Sequence, residues 1–94
     1  MGFIQIDYEN AIAQAKKLEL AAEECGQASK TLKSQSGNSE RFWQGASGNA
    51  MRRKMDESVK ELNTLQSELR ATASAIRTIA EELRRKDKKL SGLM

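Results

Sequence analysis

Histidine and proline are missing from this sequence altogether; cysteine, tryptophan and tyrosine occur once each, and phenylalanine twice. Each shortage closes off a class of protein. Metal sites and nucleophile–base catalysis need imidazoles, thiolates or carboxylates converging on a point, and without His and with one Cys most such sets cannot be assembled. No catalytic, metal or cofactor-binding residues are expected, and the chain reads as something other than an enzyme. The lone Cys25 cannot close an internal disulfide and reads as a small apolar residue on a helix face. Near a two-fold axis in an oxidising place it could cross-link two copies.

The absence of Pro removes the strongest interrupter of a helix and leaves six Gly to mark boundaries. Long apolar runs are lacking too, so no membrane span and no stable membrane insertion are expected. The first residues, through Ile6 and Asp7, show no basic region followed by an apolar run. An ordinary signal peptide is therefore not expected, and Ile6 stands where a myristoylation signal needs Ser or Thr.

What is present favours helix: Ala, Glu, Lys, Leu, Arg, Gln and Ser dominate, and 31% of residues are charged. Ninety-four residues make one domain with a thin core, so an elongated helical version of it needs a partner to cover apolar surface. Asp7 is placed to cap a helix starting near Tyr8, with Ile6 and Ala11 as a hydrophobic staple. From there a stripe at alternating steps of three and four runs through Tyr8, Ala11, Ala15, Leu18, Ala22, Cys25, Ser29, Leu32, Ser36, Ser39 and Trp43, which is a heptad seam of small residues. Ile12 and Leu20 flank it. Gly37-Asn38 is its weakest point, and helix 1 is carried through to about residue 41.

Gly45, Ser47, Gly48 and Asn49 are the dense interior cluster of turn residues, which puts a turn at 42–46, with Ser47 as a candidate cap. Helix 2, about 47–90, carries one track through Met51, Met55, Ser58, Leu62, Leu65, Leu69, Thr72, Ile76, Ile79, Leu83, Lys86 and Leu90. A second track lies beside it: Val59, Leu62, Gln66, Leu69, Ala73, Ile76, Ala80 and Leu83. A face this broad exceeds what one facing helix covers. Residues 91–94 are left as a tail. The fold class that follows is all-α, an antiparallel helix-turn-helix hairpin dimerising into a four-helix bundle. Its pairing face is Leu18, Cys25, Leu32, Met55, Leu62, Leu69, Ile76 and Leu83. One helix 2 track packs on helix 1 and the other across the dimer.

The turn itself reads Phe42-Trp43-Gln44-Gly45, a Trp-Xaa-Gly motif in the middle of an otherwise helical chain. Together with the length, the flanking heptads and the lack of a signal peptide, it resembles the WXG-100 family. These are the small ESAT-like proteins exported by type VII (ESX-type) secretion in Gram-positive bacteria and mycobacteria. On physical grounds Gly45 lets the backbone reverse, and Trp43 either plugs the end of the bundle or offers a large ring at its tip. The resemblance implies that Trp43 and Gly45 form half of a composite export signal read by the secretion ATPase. It also implies a chain made in the cytoplasm and exported without a cleaved signal peptide.

The other half in that family is a C-terminal Tyr-x-x-x-Asp/Glu. Tyr8 is the only Tyr here, so the strict form is missing, while a looser one runs through Leu83, Asp87, Leu90 and Met94 on one side of a helix. Two routes follow: export on this chain's own signal, or export with a partner that supplies the tyrosine.

From Gly48 onward 11 Lys/Arg stand against 7 Asp/Glu, whereas residues 1–47 carry 5 against 6. Nucleic-acid binding is not expected: Asp56 with Lys60, Glu81 with Arg85 and Glu82 with Lys86 are i, i+4 pairs of a solvated face, and no basic block is interleaved with aromatics. The charge suits choice of an acidic partner hairpin. The leading reading is a type VII substrate acting by protein–protein pairing, with itself as a homodimer or with another helical hairpin. The alternative is an intracellular targeting partner or adaptor that pairs with the N-terminal domain of a larger toxin or effector. A plain coiled coil unrelated to secretion is the third.

Overall fold

A computed structural model of the protein describes the backbone of residues 2–93 and the side chains of residues 7–88. Two helices, α1 (Gly2–Ser39) and α2 (Gly45–Leu93), make an antiparallel hairpin, with no strand among the described residues. Helix α1 starts well before Tyr8, and Asp7 lies inside it and does not cap it. Nothing between Gly2 and Asp7 interrupts a helix, and an interior Asp costs only a few tenths of a kcal/mol more than a neutral good former, roughly too little to start the helix later. At the other end α1 stops at Ser39, just after Gly37-Asn38. Helix α2 begins at Gly45 and runs to Leu93, through most of the expected tail.

The chain divides into two compact units, one of residues 1–20 with 69–94, the other of residues 21–68. In the first, α1 and α2 close on Ala15, Ala73 and Ala80, all buried. Side chains this small let two backbones approach until dispersion contacts are made along the helix. Longer side chains bridge one flank. Arg77 donates to Glu19 through Nε (2.9 Å) and Nη2 (2.7 Å), and the Tyr8 hydroxyl donates to Glu81 Oε1 at 2.6 Å. The Arg84 guanidinium lies 4.7 Å from the centre of the Tyr8 ring, where the face of the ring attracts a cation.

In the second unit the buried positions of α1 are Ala22, Ser29, Ser36 and Ser39. A buried hydroxyl must find a partner. Ser29 Oγ pairs with Asn63 Oδ1 at 2.8 Å, Ser36 Oγ donates to Asp56 Oδ1 at 3.4 Å, and Ser39 Oγ donates to the Ser36 carbonyl at 2.7 Å. Gly26 admits Gln66, whose amide nitrogen lies 2.5 Å from where a Cβ would stand.

The α1 stripe from Tyr8 to Ser39 is buried or half-buried at every position. On α2 the two tracks separate. Ala73 and Ala80 are buried and Val59 and Gln66 half-buried against α1, whereas Leu65, Thr72, Ile79 and Lys86 of the other track are exposed. Burial is thin throughout, since no large side chain among those described is fully enclosed.

Candidate functional site

The turn is built by a few backbone bonds. After α1 ends, the amides of Phe42 and Trp43 both donate to the Ser39 carbonyl, at 3.2 and 2.8 Å, and Arg41 N donates to Asn38 O at 3.3 Å. The chain then reverses at Gly45, where φ is +89°, a conformation that costs an L side chain and not Gly. Gly48 is buried in the first turns of α2, and a Cβ there would collide with the Trp43 carbonyl, whose carbon lies only 2.8 Å away.

Arg52 fastens this arrangement. Its Nη1 donates to the Trp43 carbonyl (2.6 Å) and to Ser39 Oγ (3.4 Å), while Nη2 donates to Asn49 Oδ1 (2.8 Å). One planar guanidinium thus joins the end of α1, the turn and the start of α2. Because α2 begins at Gly45, Ser47 lies inside the helix and does not cap it; its Oγ instead accepts the Trp43 indole N–H at 3.3 Å. Trp43 keeps 37% of its surface exposed and Phe42 keeps 77%.

A second feature lies wholly in the unit of residues 1–20 and 69–94. A mostly apolar groove of about 370 Å³ is lined by Tyr8, Ala11, Ile76, Ile79, Ala80 and Leu83, together with the charged residues Asp7, Lys86 and Asp87. Leu83 (56% exposed) and Ile79 (57% exposed) present much of their surface to water. Of the residues expected to form a C-terminal signal, Leu83 and Asp87 therefore line one groove. Leu90 and Met94 lie outside the residues whose side chains are described, as does Ile6.

Of the expected pairing residues, Leu18, Cys25, Leu32, Met55, Leu62, Leu69 and Ile76 are half-buried and Leu83 is exposed. Cys25 is a free thiol. Glu81, which the spacing pairs with Arg85, takes the Tyr8 hydroxyl. The hydrogen bonds from Arg77, more than its charge, hold the Glu19 carboxyl below its ordinary value and raise Arg77 in return. Among the described residues no three or more His, Cys, Asp and Glu gather where they could hold a metal, and no helix is long and apolar enough to cross a membrane.

The sequence placed Trp43, Gly45 and Gly48 at the turn, but it did not give Gly48 its part as the point where the Trp43 carbonyl comes close, nor Arg52 its part as the fastener. The available signal was a second Gly three residues after Gly45, at a position that good helix formers could have filled.

Residues 4–88 match the family model WXG100, described as proteins of 100 residues with WXG. No curated protein and no solved structure gives a significant match.

Proposed function

The chain belongs to the WXG100 family, and on that premise we propose that it is a substrate of type VII secretion that acts by pairing with another helical hairpin, not by catalysis. The observation that carries this reading is the turn. Trp43 and Gly45 stand on a backbone fixed by Gly48 and Arg52, so the motif is offered in one conformation and its ordering has been met on folding. Leu83, Asp87, Leu90 and Met94 serve as the second half of the export signal. The secretion ATPase reads both, and the chain leaves the cytoplasm without a cleaved signal peptide.

Pairing follows from what α2 leaves uncovered. The exposed Leu65, Ile79 and Leu83 need an apolar partner surface, and a second copy supplies it in a four-helix bundle. Replacing Trp43 by Ala should leave helical circular dichroism largely intact and stop export. Normal secretion of that variant would overturn the signal reading.

A second reading is favoured by one residue. Leu83 stands where a self-sufficient family tail has Tyr, which suits an adaptor for a larger toxin or effector. Absolute mass by light scattering under reducing conditions separates the two: a helical dimer supports the self-paired substrate, and a poorly ordered monomer supports the adaptor.

A further inference from the structure

We propose that Phe42 is the side chain that enters the receptor when the turn is read, that Trp43 is a positioning residue, and that the receptor surface is an apolar pocket edged by carboxylates. This rests on the reading of the turn as an export signal and goes beyond it in assigning the contact.

Trp43 is already engaged. Its indole N–H is donated to Ser47, its carbonyl is held by Arg52, and its backbone lies against Gly48. The Cδ1 edge of its ring lies 3.1 Å from where a Gly48 Cβ would stand, so this edge faces the first turn of α2. Phe42 is the reverse case. The amides of Phe42 and of the next residue are both donated to the Ser39 carbonyl, so the backbone around Phe42 is fixed. Its ring is the most exposed of the large apolar side chains described, at 77% against 37% for Trp43. An aromatic ring in water on a rigid backbone loses little entropy on binding and gains its full burial, which is the profile of an interface anchor.

Charge indicates the kind of pocket. Between Glu40 and Lys54 the charged residues are Glu40, Arg41, Arg52, Arg53 and Lys54. Arg52 is spent on internal acceptors, while Arg41, Arg53, Lys54 and Glu40 are exposed. The excess is positive, so carboxylates around an apolar pocket complement it, and a basic rim would repel it.

The test is export from cells with a working type VII system, measured beside thermal melting of each purified variant. Phe42→Ala should melt within about 3 °C of the parent, as expected for a surface change, yet lose roughly tenfold or more in export, as expected for an anchor. Phe42→Leu, which restores apolar bulk, should recover much of it. The pair Arg53→Glu and Lys54→Glu should lower export with melting unchanged; unaltered export would overturn the acidic rim. Parent-level export of Phe42→Ala, with export of Trp43→Ala abolished, would make Trp43 the contact and overturn the assignment. Parent-level export of a folded Phe42→Ala/Trp43→Ala double variant would instead overturn the turn as a signal at all.

Discussion

Residues 1–20 with 69–94 and residues 21–68 are built on one heptad frame yet close their seams in different ways. The first uses Ala15, Ala73 and Ala80, with long side chains bridging the flank through Glu19–Arg77, Tyr8–Glu81 and Arg84 over Tyr8. The second buries Ser29, Ser36 and Ser39 and gives each a hydrogen-bond partner, while Gly26 makes room for Gln66. Both keep the seam small so that backbones can approach. An Ala costs nothing polar to bury, but it accepts many neighbours. A buried Ser loses its bond when the register slips, so the second unit ties its register to particular partners, Asn63 and Asp56. The unit with the demanding register is also the one that carries the turn.

The sharpest way to break this comparison is at the close approach in the turn. Gly48→Ala pushes a Cβ into the Trp43 carbonyl, a backbone group that cannot swing away, and should cost about 3 kcal/mol in urea unfolding. Gly37→Ala is its control: nothing lies within 4 Å of that Cβ, so it should stabilise by up to about 1 kcal/mol. Equal gains from both would mean that helix propensity and not the close approach in the turn sets the effect.

Next in size is the Ala seam. Ala73 has 0% exposure, and Ala73→Leu should cost about 2 kcal/mol by forcing the helices apart. Hydrogen exchange should show the loss concentrated in residues 2–20 and 69–93. Loss spread evenly over 21–68 as well would mean that the two units unfold as one.

The smallest effect is electrostatic. Glu19 is held below its ordinary value of 4.5, chiefly by the hydrogen bonds from Arg77. A carboxyl depressed in the folded state stabilises above its unfolded pKa and loses that contribution as pH falls through the lowered value. The melting difference between parent and Glu19→Gln should therefore be present at neutral pH and fade as pH falls below 4.5. Both partners are partly exposed, so solvent screening keeps it small. A difference that persists in strong acid would assign it to packing.

Much of the architecture was legible in the sequence because it follows from periodicity. The α1 stripe from Tyr8 to Ser39 recurs as the buried face, and Gly45 marks the reversal. The cap at Asp7 misled, because cap residues are informative only where something else stops the helix, and nothing between Gly2 and Asp7 does. Two tracks with separate tasks were expected on α2, but which of them faces α1 was hidden. The two tracks are both apolar enough to face a helix, and the choice rested on Ala73 and Ala80 being small enough to let α1 come close.

The candidate site was legible in its motif and not in its support. Trp43-Gln44-Gly45 is read directly, whereas Arg52 acts on a backbone carbonyl, and backbone acceptors leave no trace in side-chain identity. Gly48 is required because another part of the chain lies against it, which no local rule reveals.

The sequence by itself determined that this protein is helical, that it reverses at Gly45, and that α1 has one face of small residues. These follow from propensity, the absence of Pro and a seven-residue repeat, all local properties of a chain. Only the tertiary structure decided which track of α2 meets α1, that Trp43 is tied down while Phe42 faces water, and that Leu83 and Asp87 share a groove with Tyr8. Those depend on distances between residues far apart in sequence, set by how closely two helices can approach.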